Sequence, residues 1–367
     1  MKIQAAVLDR LGGPVRVETI DLDEPRSGEV LVKMGAAGVC HSDYHSIVGD
    51  SPADLPCVVG HEGAGEIIAI GPDVDTVRVG DRVALNWLPS CNDCFYCGHD
   101  QHHLCREITD TVWSGFMADG TSRLSHDGRE LRHYSAVSTW ADHMVVDARC
   151  CQPIPDEVPY DVAAIICCAV ATGVGAALHR GKVGPGDHVA IVGAGGVGLS
   201  TIMGAKLAGA ETIIAIDRVA DKEAMALELG ATHFVAGDDS AVARVRALTD
   251  GRGADAVFES VGHPALQRTW IEGVRPGGTL VLVGLPSTDT ITEFVAADLA
   301  RQEKTITGSY FAATDAGQAI HDLCTAYVQQ RLPLDKLISK RLRLRDINEA
   351  LDAMLTGAEG RVVITFD

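Results

Sequence analysis

The chain has 367 residues, of which 46% are hydrophobic and 22% charged, and its formal net charge at pH 7 is −19. A chain of this length is long enough for two domains of ordinary size, each with its own core, and the composition is that of a globular protein. The negative charge argues against nucleic acid as a partner, because binding to a phosphate backbone requires a positive surface.

The N-terminus, MKIQAAVLDR, lacks the features of a secretory signal, and we therefore expect a cytoplasmic protein. Eleven cysteines then indicate metal binding or catalysis rather than disulfides, since the cytosol keeps thiols reduced. The longest apolar stretch, residues 162–178, is shorter than the roughly 20 residues of a membrane-spanning helix and contains two glycines. It predicts a buried helix and no membrane partner.

Residues 1 to about 150 consist of short β-type runs separated by Gly, Pro and Asp turns. Among these runs are AAVLD, VRVETI, EVLVKMGAAGV, GEIIAI and DRVAL. Such a pattern predicts a mainly antiparallel, partly barrel-like domain.

From Asp161 onward, helical and strand patterns alternate, beginning with HVAIVGA and ending with TLVLVGL. This alternation predicts a doubly wound parallel sheet covered by helices on both faces. We expect TLVLVGL to lie at the edge of that sheet. After about residue 310 the chain reads as helix, strand, helix and final strand, and we expect this tail to return to the first domain.

A glycine motif follows the strand HVAIVGA. Gly193, Gly195 and Gly198 have the G-x-G-x-x-G spacing, with Gly196 and Val197 between the second and third, and a helix-like segment begins there. The first glycine allows a tight turn, the second lets the backbone approach a pyrophosphate, and the third lets helix and strand pack closely. In this context the motif predicts a dinucleotide site.

The next strand, TIIAID, ends in Asp217, 19 residues after Gly198. A carboxylate at this point hydrogen-bonds the ribose hydroxyls and repels the additional phosphate of NADP. NAD is therefore the predicted cofactor. The neighbouring Arg218 weakens this preference.

Four cysteines lie in one loop, PSCNDCFYCGHDQHHLC; they are Cys91, Cys94, Cys97 and Cys105. Thiolates at these spacings can converge on one ion in a closed tetrahedral zinc site, which has no open position and does no chemistry. An iron–sulfur cluster and disulfides are the alternatives.

Three other segments carry candidate ligands: GVCHSDYH contains Cys40, GHEGAGE contains His61, and IICCAVATG contains Cys167 and Cys168. Spacing alone does not join them. Taken singly, Cys40 would be a small buried hydrophobic residue and His61 a core histidine.

The segments CHSD, GHEGAGE, the four-cysteine loop, TGVG and GAGGVG, in this order, resemble the zinc-containing alcohol dehydrogenases of the medium-chain dehydrogenase/reductase superfamily over essentially the whole chain. The sequence is similar to the class with the liver-type enzymes and glutathione-dependent formaldehyde dehydrogenase. This resemblance implies an α/β protein with a GroES-like, mainly antiparallel β catalytic domain at residues 1–169 and 311–367. A Rossmann NAD-binding domain would occupy residues 170–310.

The resemblance also implies two zinc ions per subunit. Cys40, His61 and Cys168 would bind a catalytic zinc with its fourth position open, and the four-cysteine loop a structural one. Cys168 is preferred to Cys167 because the family's cysteine precedes its Thr-Gly pair, here Thr172 and Gly173, by four residues.

Further roles are implied by position in the family pattern. Glu62 would lie behind the metal and Asp43 would orient His61, while Ser42 and His45 would form a proton relay. The remaining matches fall into two groups: cofactor contacts by His41, Thr172, Lys222 and Arg361, and a substrate pocket lined by Trp87, Leu88 and Tyr134.

The implied reaction is the reversible oxidation of an alcohol to an aldehyde with hydride transfer to NAD, in a homodimer or homotetramer. Aromatic side chains narrow a pocket, which favours primary alcohols. The alternatives are a nicotinoprotein alcohol dehydrogenase or aldehyde dismutase that keeps NAD bound, a thiol-adduct formaldehyde dehydrogenase, and a non-catalytic NAD- or zinc-binding protein. Thr109, near the place where glutathione-adduct enzymes carry an arginine, argues against the thiol adduct.

Overall fold

The computed structural model describes residues 1–357 and 360–366. The chain divides into two compact units, the first made of Met1–Cys168 with Asp315–Asp367 and the second of Ala169–Thr314. The boundaries predicted after residues 169 and 310 lie one and four residues from these.

Most strands of the first unit precede the crossing into the second. They are β1 (Lys2–Leu8), β2 (Arg16–Leu22), β3 (Glu29–Val39), β4 (Cys57–Val58), β5 (Gly63–Ile70), β6 (Arg82–Leu85), β7 (Leu124–His126), β8 (Arg129–Leu131), β9 (His143–Asp147) and β10 (Cys151–Pro153). The second unit contributes β11 (His188–Val192), β12 (Thr212–Asp217), β13 (His233–Ala236), β14 (Ala254–Glu259), β15 (Val274–Leu282) and β16 (Thr305–Gly308). The returning tail adds β17 (Ile338–Arg343) and β18 (Arg361–Thr365).

The first unit contains two sheets, ordered β4-β1-β2-β7-β8 and β10-β6-β5-β3-β18-β17, with β9 also paired to β3. Neighbours run antiparallel except β17 and β18, which are parallel. β18 pairs antiparallel with β3 at Val362 and Val39, so the tail returns to the first unit as predicted. A buried cluster that includes Leu8, Val39 and Trp140 forms the core here.

The second unit has one sheet, ordered β13-β12-β11-β14-β15-β16, in which every neighbouring pair is parallel. The predicted doubly wound sheet is therefore confirmed. The first five residues of TIIAID are buried, so the strand β12 is buried on both faces, because helices cover parallel sheets on both sides.

The expectation that TLVLVGL forms the sheet edge is wrong. Residues 279–282 belong to β15, which lies between β14 and β16. The edge strands are β13 and β16. Beyond β15 the edge is β16, a strand of four residues with no buried position. A short, half-exposed strand gives little hydrophobic pattern, which is why the sequence did not predict it.

Helices connect the strands and carry several of the predicted site residues. The α-helices outside the long central one are His41–Val48, Arg106–Val112, Gly196–Ala208, Glu223–Leu229, Ala241–Ala247, Pro264–Trp270, Ala296–Gln302, Ala316–Val328 and Ile347–Leu355. Single 3₁₀ turns occur at Cys97–His99, His102–Leu104, Ala148–Cys150, Ala220–Lys222, Leu334–Leu337 and Leu344–Asp346.

One long helix, Tyr160–Arg180, is long and apolar enough to cross a membrane, but 83% of its most apolar window is buried inside the structure. That burial is typical of a core helix, as the sequence predicted. The helix contains two π-helical segments, Ile166–Val170 and Ala176–Arg180. Such segments are frequent at functional sites, and the first contains Cys167 and Cys168.

Candidate active site

Four side chains that can bind a metal converge in the first unit. Their ligand atoms all lie within 4.8 Å of one another, and all four residues are buried: Cys40, His61, Glu62 and Cys168. Cys40 caps the helix His41–Val48, His61 and Glu62 directly precede β5, and Cys168 lies in the π-helical segment. The fold thus brings together three segments that spacing alone could not join.

Asp43 determines which nitrogen of His61 is available. Its carboxylate lies 2.8 Å from Nδ1 of His61 and accepts a 3.0 Å hydrogen bond from the amide of Cys40. Nε2 of His61 is buried, and none of the described residues meets it at hydrogen-bonding geometry. A buried polar atom without a partner is costly unless it binds an ion, and metal-ligating histidines typically donate their other N–H to a carboxylate. The pair therefore fits a metal ligand and its orienting carboxylate.

The two thiols of this site are hydrogen-bonded to each other. The hydrogen bond from Cys168 lowers the pKa of Cys40 well below its ordinary value, although burial opposes this. The same contact, together with burial, raises the pKa of Cys168. Two sulfurs and an imidazole form a soft donor set of the kind that zinc prefers.

The neighbouring Cys167 has a different environment. Its thiol lies 3.3 Å from the carbonyl of Gly63 and 3.2 Å from that of Ala163. Both contacts are to backbone oxygens, so Cys167 packs against β5 and its own helix. Of the two adjacent cysteines, only Cys168 belongs to the metal-binding cluster.

Glu62 is completely buried and forms an ion pair with Arg361, whose side chain is 5% exposed. Burial raises the pKa of Glu62 to about 7, against the lowering effect of the Arg361 charge. A Cβ atom at Gly38 would lie 1.8 Å from the Glu62 carboxylate, so β3 needs a glycine there. Arg361 was predicted to contact the cofactor; in the structure its guanidinium pairs with Glu62 within the first unit.

Ser42 and His45 lie on the helix His41–Val48. The hydroxyl of Ser42 lies 3.8 Å from the sulfur of Cys40, at the edge of the metal-binding cluster. Nδ1 of His45 lies 3.0 Å from the carboxylate of Asp50, a partner that the sequence reading missed. His41, at the first position of the helix, is exposed.

Aromatic rings flank His61 on two sides. Trp87 and Tyr134 each contact it edge to face, with centroids 6.1 Å apart. The Tyr134 hydroxyl is used within the protein, since it lies 3.0 Å from the Ser46 hydroxyl and donates to the carbonyl of Ser42 at 3.2 Å.

The other predicted pocket residue, Leu88, is 1% exposed. Trp113, which the sequence reading did not single out, packs edge to face on Trp87 at 6.2 Å and is 44% exposed. It ends the segment CREITDTVW after the four-cysteine loop, and only the fold reveals its position beside Trp87.

The four-cysteine loop forms a second metal-binding cluster, again within 4.8 Å. Its sulfurs lie 3.6 Å apart for Cys94 and Cys97, and 3.9 Å apart for Cys91 and Cys97 and for Cys94 and Cys105. A tetrahedral site with Zn–S bonds of about 2.3 Å has sulfurs about 3.8 Å apart. All four are free thiols, so the geometry fits one zinc ion and not disulfides.

The glycine motif of the second unit joins β11 to the helix Gly196–Ala208. Gly193 has φ +95°, which favours glycine. A Cβ atom at Gly198 would lie 1.8 Å from the carbonyl oxygen of Gly193, whereas one at Gly195 would meet no atom within 4 Å. Gly198 is thus required for packing, while the open space at Gly195 suits the close approach of a phosphate.

Asp217 ends β12 and faces this loop. Its carboxylate accepts hydrogen bonds from the Ala194 amide at 2.8 Å and from Lys222 at 3.0 Å. These partners lower its pKa although burial opposes them. Arg218 is exposed, and Thr172 and Val197 are half-buried. Lys222, predicted as a cofactor contact, thus also neutralises Asp217.

Two family models match the chain: "Alcohol dehydrogenase GroES-like domain" at residues 26–156 and "Zinc-binding dehydrogenase" at residues 196–326. An NDMA-dependent alcohol dehydrogenase from Amycolatopsis methanolica is 36% identical, over 99% of each chain. An S-(hydroxymethyl)glutathione dehydrogenase from Synechocystis is 34% identical over 100% of both chains. The crystal structure of benzyl alcohol dehydrogenase from Acinetobacter calcoaceticus superposes with a TM-score of 0.94, at 31% identity and 100% coverage of both chains.

Proposed function

We propose that this chain, which belongs to the zinc-binding alcohol dehydrogenases with a GroES-like domain, oxidises a primary alcohol to an aldehyde and transfers the hydride to NAD. The observation that carries this proposal is the buried cluster of Cys40, His61 and Cys168. Nε2 of His61 has no hydrogen-bond partner within the described part of the chain, and the carboxylate of Asp43 lies on Nδ1 of the same ring. Two soft sulfurs and one imidazole are a ligand set of catalytic zinc sites, which keep a fourth position for substrate.

The proposal assigns these three residues to a catalytic zinc and the four-cysteine loop to a structural zinc. A zinc ion in the first cluster would supply Lewis acidity toward the alcohol oxygen, and NAD would accept the hydride. Asp43 orients the His61 ring. The ion pair with Arg361 engages the Glu62 carboxylate, which leaves Cys40, His61 and Cys168 as the proposed ligands. Ser42 and His45 carry the alcohol proton away, with His45 as the exposed end of the relay. Electrons and atoms balance as alcohol plus NAD⁺ giving aldehyde, NADH and one proton.

NAD is proposed as the cofactor because the strand after the glycine motif ends in Asp217, a carboxylate that favours ribose hydroxyls over a phosphate. Its pKa is below the ordinary value, so it is charged at neutral pH. The contacts proposed for the cofactor are His41, Thr172, Gly193, Gly195, Gly196, Val197, Gly198, Asp217, Arg218, Lys222 and Arg361.

The substrate class follows from the ring contacts. Trp87 and Tyr134 each contact His61 edge to face. Together with Leu88 they would form the apolar wall of a narrow substrate pocket that admits a primary alcohol. The similarity to a benzyl alcohol dehydrogenase supports an aromatic primary alcohol. Thr109 donates its hydroxyl to the Cys105 carbonyl at 2.6 Å and offers no positive charge to a glutathione carboxylate.

One relative favours a second candidate function. An NDMA-dependent alcohol dehydrogenase is 36% identical over nearly the whole chain, which supports a nicotinoprotein that retains NAD and passes its electrons to an external acceptor. Such a protein would carry cofactor after purification and would gain little activity from added NAD.

We also propose a cytoplasmic homodimer or homotetramer. The strand β16 leaves one side of the parallel sheet without a partner among the described residues, and an unpaired sheet edge can pair with a second copy. Ile291 and Val295 are 81% and 60% exposed and offer apolar surface on the same unit.

The proposal is tested by initial rates on short aliphatic, long aliphatic and benzylic alcohols. Each alcohol is assayed with added NAD, with added NADP, and with NDMA alone. A rate that requires added NAD, with benzylic alcohols fastest, supports a dissociable-cofactor dehydrogenase, whereas turnover with NDMA alone supports the nicotinoprotein. S-(hydroxymethyl)glutathione is the control substrate, and activity on it alone would contradict the proposed substrate.

A further inference from the structure

We infer that Asp50 is a positioning residue for the reaction: it holds the His45 ring so that Nδ1 carries the proton and Nε2 is the proton acceptor at the end of the relay. The inference rests on the proposed function, since a proton acceptor matters only if an alcohol is deprotonated. Nδ1 of His45 and the carboxylate of Asp50 lie 3.0 Å apart.

The local backbone is built to keep this pair together. The helix His41–Val48 ends at Gly49, which has φ +92° and turns the chain back. The amides of Gly49, Asp50 and Ser51 then all donate to the carbonyl of His45, at 3.0, 2.8 and 3.2 Å. Three bonds to one oxygen fix the turn on the residue whose ring Asp50 contacts. The carboxylate therefore reaches the ring from a rigid position.

The side chains of His45 and Asp50 are both partly exposed, as the group that releases a proton to solvent must be. The side chains of His45 and Asp50 are 27% and 43% exposed, so a proton that arrives at Nε2 can pass to water. A histidine that donates Nδ1–H to a carboxylate has its tautomer fixed. Nε2 is then the ring nitrogen that is left to accept a proton.

Four other ionisable groups lie on the helix of His45 or on the turn that packs against its end. Tyr44 is adjacent, with ring centroids 6.4 Å apart, and His41 begins the same helix. Asp43, also on this helix, contacts His61 and the Cys40 amide. Arg10 belongs to the turn whose Gly12 amide donates to the Ile47 carbonyl, against the end of the helix. Asp50 is the carboxylate with a recorded ion pair to His45.

The test compares Asp50→Asn with wild type and with the matched control Asp54→Asn, an exposed carboxylate four residues further along. Asparagine keeps the shape and the backbone bonds but removes the charge. We expect kcat/KM for alcohol oxidation at neutral pH to fall roughly 3- to 10-fold, a part of the about 100-fold that a positioned general base contributes. The Asp54 variant should match wild type.

Two readouts separate positioning from a merely structural effect. Removal of the negative charge beside the proton acceptor should change the pH profile of kcat/KM relative to wild type, whereas Asp54→Asn should leave that profile unchanged. In a His45→Gln background, Asp50→Asn should change the rate less than about 1.5-fold, since coupled residues are non-additive.

The inference is overturned if Asp50→Asn matches Asp54→Asn in rate and pH profile, or if it slows the His45→Gln protein as much as it slows wild type. Either result requires an active wild-type protein. An inactive wild type would instead overturn the proposed function, so the two failures can be told apart.

Discussion

The adjacent residues Cys167 and Cys168 lie in different environments. Cys168 joins Cys40 and His61, whereas the thiol of Cys167 contacts the backbone carbonyls of Gly63 and Ala163. Both are almost fully buried, at 8% and 0% exposure. A substitution of Cys168 therefore tests metal binding, and the same substitution of the neighbouring Cys167 is its control.

We expect Cys168→Ser to lose one zinc ion per chain and at least roughly 1,000-fold in alcohol oxidation, because a hydroxyl is a far weaker zinc ligand than a thiolate. Cys167→Ser should keep the zinc content and most of the rate. Metal analysis and initial rates on both proteins check this. Equal zinc contents in the two variants would contradict the assignment of Cys168.

At the scale of residues, the order of the motifs along the chain identified more of the candidate site than the spacing between residues did. Cys40, His61 and Cys168 are 21 and 107 residues apart along the chain, and no local pattern joins them; the resemblance to a family did. The pairing of Glu62 with Arg361 was missed because it depends on β18 lying beside β3, a register that the sequence does not encode locally.

At the scale of elements, two glycines of the loop after β11 have different roles. One is required by the packing of the backbone, and the other leaves space for a cofactor. A Cβ at Gly198 would lie 1.8 Å from a backbone oxygen, while one at Gly195 would meet nothing within 4 Å. Gly195 has φ −94°, which alanine also adopts. Substitution of Gly198 should therefore lower stability, whereas substitution of Gly195 should weaken cofactor binding.

We expect Gly195→Ala to unfold at the wild-type temperature but to bind NAD at least roughly 10-fold more weakly, because the new methyl group occupies the space for the pyrophosphate. Gly198→Ala should lower the unfolding temperature by several degrees, since the backbone must move. Thermal unfolding and NAD titration measure both. Unchanged NAD affinity in Gly195→Ala would place the cofactor elsewhere.

The four-cysteine loop has little secondary structure beyond two short 3₁₀ turns. We expect Cys97→Ser to lose one zinc ion per chain and to unfold at a temperature several degrees lower, because a structural zinc contributes directly to folding free energy. The catalytic site should retain its zinc and, at low temperature, its activity. An unchanged zinc content and unfolding temperature would show that the loop needs no metal.

The elements themselves were predicted unevenly. Strongly patterned strands such as β3 and β12, and the helices of the tail, were predicted from the sequence because their burial produces a regular pattern. β16 was missed because none of its four residues is buried. The edge of the parallel sheet was consequently assigned to the wrong strand.

At the scale of the whole molecule, two units divide the candidate chemistry. The two clusters of potential metal ligands and the proposed relay residues Ser42 and His45 lie in the first unit, and the glycine loop proposed to bind the dinucleotide lies in the second. Composition and the alternation of helix and strand were enough to predict two folds of different class. They could not predict the substrate, which depends on side-chain positions such as those of Trp87 and Trp113.

If an alcohol loses a hydride to a nicotinamide at the cluster of Cys40, His61 and Cys168, the hydrogen of its reacting carbon must appear in the cofactor. The experiment mixes zinc-loaded protein, NAD and benzyl alcohol deuterated at the reacting carbon, and analyses the cofactor by mass spectrometry. We expect deuterium in the reduced nicotinamide with wild type and Cys167→Ser, and none with Cys168→Ser. Unlabelled cofactor with fully zinc-loaded wild type, or equal labelling by Cys168→Ser, would contradict it.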